Sequence, residues 1–540
     1  MTTTTLEKTP SVAERPVGEF MVDTTPPTPL SEDTMDEADK SLEAMGYTPV
    51  FKREFSTWSS FSFAMSISGV YGTLMSTWIY GLQAGGAAAI MWSWVIGGAG
   101  AWALALSIAE ISSAYPSSGA MYFTLKFLAP EGQVAFLCWI AGNLTCGAGY
   151  VNLVGTVTGS AATEYASSQM LLAAISIISD FTYVPTIHHV VAVMALLTVV
   201  HASINTLPTL WLNRLTSGYV VFHVSVLVGA CVTLLAQKKD KHTFEYVFTD
   251  FQPTSGWSPP GFAFLFGCLT PAWIMTSADS TARIAEEAKD PARIVPKAIA
   301  NATTFTYFIG FLFNLVLVLC MGDPLDLINS PSGQPVAQLF FNAMGRGPAI
   351  FFTLCGFIVM NLVAIPGIQS GSRTIFALAR DDLLPFSNVW RRISKRSQTP
   401  IAAVWIYAAL EITVNLLGLA SDTAISAVFN VCTVALNLSY VIPIVCKMLY
   451  GRFERGPWHL GRWSTAVNVV AVAWNGFMTV VFFFPTNLPV TPENMNYAII
   501  VFTFVLLFSV GFWFTHGRHY YTGPLTQASR QLVVATRREV

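Results

Sequence analysis

The sequence predicts an all-α integral membrane protein with twelve transmembrane helices, and three observations carry that prediction. Of 540 residues, 53% are hydrophobic and only 11% charged, against about 25% charged in a typical soluble domain. Apolar runs of about 20 residues, the length that crosses a bilayer, recur from Trp58 to His516. Two of those runs carry helix-breaking residues near their middles, where hydrocarbon tolerates open backbone only beside protein or a polar cavity.

The runs fall near 58–81, 87–112, 133–160, 187–206, 215–236, 260–279, 298–321, 347–379, 401–418, 424–449, 464–485 and 496–516. An even number places both termini on one side. Loops on the side of the N-terminus hold most of the loop cations, among them Arg283, Arg293, Arg380, Arg391, Arg392, Arg396, Arg452 and Arg455. The opposite loops hold only Lys238, Lys239, Lys241 and Arg346. The positive-inside rule therefore puts both ends in the cytosol. Residues 1–50, rich in Thr, Pro and acids, read as a disordered cytosolic tail. Residues 51–518 read as the twelve-helix membrane domain and 519–540 as a second cytosolic tail. No cleavable signal peptide is visible, so the first span directs insertion, most simply into the plasma membrane.

Several function classes are excluded. The net charge of −2 and the lack of a basic cluster give no footprint for nucleic acid. All eight cysteines (138, 146, 231, 268, 320, 355, 432 and 446) lie in apolar runs without a CxxC pair, so neither disulfides, a metal site nor a cofactor is indicated. Gly97, Gly98 and Gly100 lie inside a span without a following GKS/T, which makes them packing residues rather than a nucleotide loop. No Ser, His and Asp set has hydrolase spacing, so an enzyme is not expected. The sequons at Asn143, Asn301 and Asn437 fall within spans.

The first break is the stretch Ser66-Ile67-Ser68-Gly69-Val70-Tyr71-Gly72-Thr73, where glycines and hydroxyls weaken the helix. The second lies in the sixth span, where Pro271 lacks the amide a helix needs and Trp273 and Asp279 follow. These are helix one of five and helix one of the next five. Paired interruptions in two halves are the sequence mark of an inverted-repeat transporter site.

Four motifs then carry a family resemblance: KREFSTWSSFSFAMSIS into the first span, AEISSAYPSSGAMY at 109–122, PAWIMTSADSTARIAEEAKDPARIVPKAI at 271–299, and SRTIFALARDDLLPFS at 372–387. With them the chain resembles the amino acid–polyamine–organocation superfamily, and within it the fungal amino acid/choline permeases, including choline and GABA permeases. The resemblance implies a LeuT-like fold, two inverted five-helix repeats plus two extra helices. It also implies a proton-coupled importer of a small amine or amino acid. Ser277-Ala278-Asp279 stands where many amino acid permeases have a glycine-aromatic-Asp triplet.

For an amino acid, the open amides around Ser68, Gly69, Tyr71 and Gly72 suit a carboxylate. Carbonyls near Pro271, the face of Trp273 and the neighbouring Thr276 and Ser277 suit the ammonium end. For choline, Trp273, Tyr71 and Trp78 are the candidate aromatic cage. By resemblance, Trp273 matches an aromatic that closes over substrate. Asp279 falls where relatives often carry an acid and reads as attractor, proton-coupling group or helix cap. Glu286 and Glu287, near Arg283 and Lys289, and Glu110 read as gate or loop ion pairs. His223 is the one ionisable residue in the fifth span, either a proton carrier or a satisfied buried histidine. Asn143 and Asn361 offer amides to the cavity or to neighbouring helices. A nutrient receptor that binds the same solute without flux is the rival reading.

Overall fold

In the computed structural model the described residues are 36–45, 47, 49–130, 133–134, 137, 151–381, 384–394, 396–419, 422–492 and 494–517. The predicted site residue Asn143 and the terminal tail 519–540 lie outside them. The described chain is helical, with a single isolated bridge between Phe55 and Ala288.

The helices run in chain order as α1 (Glu37–Ala44), α2 (Thr57–Ser68), α3 (Val70–Ala114), α4 (Ala120–Leu128), α5 (Val151–Ile178), α6 (Ile187–Asn205), α7 (Thr209–Ser217) and α8 (Tyr219–Gln237). They continue as α9 (Pro260–Gly267), α10 (Leu269–Thr276), α11 (Ser280–Arg283), α12 (Pro291–Cys320), α13 (Pro335–Met344), α14 (Arg346–Arg380), α15 (Ile401–Leu416), α16 (Asp422–Tyr450), α17 (Ser464–Val481) and α18 (Ala498–Phe512). Nine stretches of the described residues are long and apolar enough to cross a membrane. The first of them, Thr57–Ala114, bends at Gly85 and Gly86, whose backbone is non-helical, and so holds the predicted first and second spans. Helices α5 and α18 occupy the places of the third and twelfth.

Two expectations need correction. The third span was expected at 133–160, yet α5 continues to Ile178, because Thr163, Glu164 and several serines lower the hydropathy of a helix that protein surrounds. The chain was expected to be unstructured to residue 50. Instead α1 opens with a capping box on Asp36, and Leu42, Tyr47, Val50 and Phe51 are buried. Tyr47 packs with Phe123 and Leu378, and Phe51 with Phe376, so four well-spaced apolar side chains are enough to pin this segment down.

The interior lies where α3 packs on α10 and α12, and where α5 packs on α14 and α16. Large apolar side chains such as Val232, Phe351, Phe504 and Leu507 face outward, as a lipid-facing surface requires. Small residues permit the closest approaches. A Cβ at Gly100 would run into the Trp474 ring, and one at Gly310 into Trp94.

Candidate functional site

Gly69 ends α2 and starts α3 at φ 47°, ψ 40°, a left-handed conformation that glycine adopts without strain. A side chain there would also collide with Val363. The turn releases the Ser68 carbonyl, to which Thr73 Oγ1 donates at 2.8 Å, while the Gly69 carbonyl takes the Thr73 amide and hydroxyl, each at 3.0 Å. The first amides of α3 have no preceding turn to bond. Those amides are therefore the open groups of this break.

The sixth span is interrupted twice, at Cys268 between α9 and α10, three residues before Pro271, and again six residues after it. Pro271 is the third residue of α10 and the helix runs through it to Thr276; a proline in a first turn removes an amide that would have no partner anyway. Regular helix gives way again at Ser277–Asp279, a single tighter turn, before α11 resumes. That turn packs against α2, so it and the first break meet.

A cavity of about 50 Å³ lies where they meet, several times the space of one buried water. Ile67 and Thr73 line it from the first break, and Trp273, Thr276, Asp279 and Arg283 from the second. Helix α5 adds Thr156, Ser160 and Thr163, α14 adds Val363 and Gly367, and α16 adds Cys432. Trp273 is half-buried and packs against the two largest apolar clusters at once.

Asp279 and Arg283 form the charged wall. One Asp279 oxygen accepts from Arg283 Nε at 3.1 Å and Nη2 at 2.5 Å, and the other accepts from Tyr440 Oη at 2.5 Å. Arg283 Nη1 donates to Thr156 Oγ1 at 2.8 Å, tying α11 to α5. Both charges are almost fully buried, so the pair presents little net charge to a solute.

Other candidates are placed elsewhere. Tyr71 stacks on Phe313 and donates to the Phe352 carbonyl at 3.0 Å, and Trp78 donates to Asn314 Oδ1 at 3.0 Å. Both face the apolar core, so these three rings do not form a cage, and of the three Trp273 lines the cavity. Gly72 gives close approach to Met360 and Gly356. Asn361 donates to Ser167 Oγ at 3.1 Å and to the Phe357 carbonyl, which is helix-to-helix bonding. Ser68 Oγ turns back to Ala64 at 3.4 Å. His223 is buried with neither ring nitrogen bonded within the described residues.

The glutamates form a basic-side layer, with partners other than Arg283 and Lys289. Glu286 takes two bonds from Arg380 at 3.0 Å and one from the Ser118 amide at 3.0 Å. Burial alone would raise this carboxyl; Arg380 and Ser118 outweigh burial and hold it below the usual carboxylate range. Glu287 pairs with Arg373 at 2.6 Å, and Glu110 with Lys447 at 2.5 Å. Tyr47 donates to Asp381 at 2.9 Å beneath the Arg380 guanidinium, 3.7 Å from its ring. Burial first, then the Asp381 charge, push its phenol well above the ordinary value.

Sequence reasoning missed Arg283 as a cavity residue, along with Tyr440, Thr156, Ser160 and Thr163. The one available signal was the spacing of Asp279 and Arg283, four residues apart on one helical face. Among the described residues no group of His, Cys, Asp and Glu is arranged to hold a metal.

The sequence matches the amino acid permease family over residues 55–506. It is 77% identical to amino-acid permease 2 of Neurospora crassa, over 95% of this chain and 94% of that protein. It is 48% identical to an uncharacterized amino-acid permease of Schizosaccharomyces pombe, over 90% of each chain. An amino-acid permease of Arabidopsis thaliana is 26% identical over 91% of this chain and 97% of its own. On a match of that extent, joined to a multi-span helical fold, the chain belongs to the amino acid permease family of the amino acid–polyamine–organocation superfamily.

Proposed function

We propose that the protein imports an amino acid across the plasma membrane by alternating access, with both termini cytosolic and protons as the coupling ion. The observation that carries the proposal is the cavity at the junction of two interrupted helices, an apolar pocket set with hydroxyls and the Asp279–Arg283 pair. The α-carboxylate of the solute takes the open amides at the start of α3, which favour an anion as any helix N-terminus does. Its ammonium group takes the carbonyl end of α10 and the face of Trp273.

The lining favours an amino acid over choline. Among the described residues one ring stands at the cavity in place of the three a quaternary ammonium would use, and Asp279 is already engaged by Arg283 and Tyr440. GABA shares both charged ends and belongs to the same solute class. The membrane potential contributes roughly 2.3 kcal/mol per charge per 100 mV, so a proton moving with a zwitterion is drawn inward.

Radiolabelled uptake in cells lacking their own amino acid permeases tests this, with unlabelled amino acids, GABA and choline as competitors. Accumulation blocked by an amino acid but not by choline is expected. Saturable binding without accumulation would overturn the carrier reading in favour of a receptor.

A further inference from the structure

A second polar cluster lies inside the helix bundle, away from the two breaks. Helices α5, α6 and α15 pack on one another, and each brings an ionisable side chain inward: Glu164, His201 and Glu411. Glu164 and Glu411 are 0% exposed and His201 2%. His201 Nδ1 lies 2.6 Å from one Glu164 oxygen. The other Glu164 oxygen and both oxygens of Glu411 have no hydrogen-bond partner within the described residues. Glu164 and Ser160 are the neighbours that act on Glu411. One turn further along α15, the Asn415 amide is 1% exposed and has neither its donor nor its acceptor satisfied.

Among the described residues no permanent cation pairs with this cluster. Arg373 and Arg380 on α14 are held by Glu287 and Glu286, Lys447 on α16 by Glu110, and Arg283 by Asp279. The remaining ionisable neighbours are Tyr407 on the same helix and Cys432 of α16 beside it. The imidazolium of His201 can neutralise one carboxylate. A second carboxylate buried without a countercharge is costly enough that it is retained only with a proton.

The cluster is wired to the cavity. Tyr407 Oη donates to the Thr156 carbonyl at 2.9 Å and lies 2.9 Å from Ser160 Oγ. Because the phenol spends its one proton on Thr156, Ser160 donates to Tyr407 and keeps a lone pair for a protonated Glu411. Ser160 also lines the cavity, and Thr156 Oγ1 receives Arg283.

We propose that Glu411, with Glu164 and His201, is a proton-binding site in the α5–α6–α15 scaffold, linked through Ser160, Tyr407 and Thr156 to the Asp279–Arg283 pair on the interrupted helix. The inference rests on the transporter reading and names where its coupling ion sits. A proton enters from the outer face with the solute and leaves to the cytosol. Losing it turns Glu411 into an acceptor, draws the Ser160 hydroxyl from Tyr407, and so disturbs the Thr156–Arg283 contact that helps hold the cavity closed.

The test uses purified full-length protein in liposomes and a radiolabelled mixture of the protein amino acids. Counterflow at equal pH reads binding and translocation, whereas accumulation driven by an acid-outside gradient, with a pH dye inside, reads coupling. One proton per solute sets a ceiling of about tenfold accumulation per pH unit. Glu411→Gln is expected to keep counterflow while losing gradient-driven accumulation, internal acidification and pH dependence. Glu411→Asp is expected to restore them with a shifted pH profile. Glu411→Gln that still accumulates solute with an unchanged profile overturns the site. If the glutamine variant does not fold, an unshifted profile in Glu411→Asp overturns it equally. Wild-type protein without counterflow defeats the transporter reading itself, and wild-type counterflow that ignores a pH gradient defeats proton coupling and with it this site, leaving the carrier reading intact.

Discussion

Replacing Asp279 with asparagine isolates the charged wall of the cavity. The change preserves size and one acceptor oxygen but aims an amide at Arg283, whose Nε and Nη2 now donate to Asp279 at 3.1 and 2.5 Å. Thr156 keeps one guanidinium bond at 2.8 Å, so the positive charge stays buried with its Asp279 countercharge gone. Removing one partner of a buried pair costs about 3–5 kcal/mol. Removing the Tyr440 hydroxyl should cost less, about 1.5–3 kcal/mol for a bond to a charged group. Thermal unfolding in detergent, followed by tryptophan fluorescence, should rank Asp279→Asn below Tyr440→Phe and both below wild type. Asp279→Asn/Arg283→Met removes both charges and should recover most of the loss, because the desolvation penalty disappears with the pair. An Asp279→Asn protein within about 1 kcal/mol of wild type, with no recovery in the double variant, would refute the reasoning.

Trp273→Ala should abolish uptake while the protein still reaches the surface, since it removes the ring at the cavity; uptake with surface biotinylation reads both. Gly69→Ala should lower folded yield and transport together, because the left-handed turn costs an alanine about 1–2 kcal/mol and its methyl group meets Val363. Glu286 sits below the usual carboxylate range in the folded protein. Its stabilising effect is therefore complete above the ordinary glutamate value of about 4.3 and is lost as pH falls through the lower folded value. Melting temperatures of wild type and Glu286→Gln should differ by a constant amount at neutral pH and converge only in acid. Tyr47→Phe should loosen the 36–55 segment by about 1.5–3 kcal/mol, read as faster proteolysis or amide exchange there.

The interruptions were legible because glycine and proline change the backbone itself, whatever surrounds them. Gly69 marked its break to the residue. Pro271 announced the break at Cys268 but not the second one, since a proline near the start of a helix costs no hydrogen bond and α10 runs on to unwind again at 277–279. Side-chain direction was less legible. Tyr71 and Trp78 share a face, but the Gly69 turn resets the phase of α3 so that they point at Phe313 and Asn314. Hydropathy failed where function is richest. The hydroxyls of Thr163, Ser167 and Ser168 and the carboxyl of Glu164 made α5 look like a span that ended early. Arg283 was counted as a loop cation because charge alone does not reveal a partner across the bundle.

The basic-side layer follows a physical logic suited to a gate. Three carboxylate–cation pairs, Glu286–Arg380, Glu287–Arg373 and Glu110–Lys447, join segments far apart in sequence. An apolar seal of the same area would lose about 25 cal/mol for each Å² exposed on opening. A buried ion pair instead recovers its desolvation penalty when water enters, so exchanging its bonds for hydration is nearly balanced. Mutating one partner is a different perturbation, since it strands a charge while the gate stays closed. Removing both partners of a pair should thus disturb the open–closed equilibrium far less than removing either, and accessibility of a cysteine placed at Ser280 to a membrane-impermeant thiol reagent measures it. Should the double variants prove as permanently open as the singles, the layer acts as a rigid clamp rather than a balanced gate.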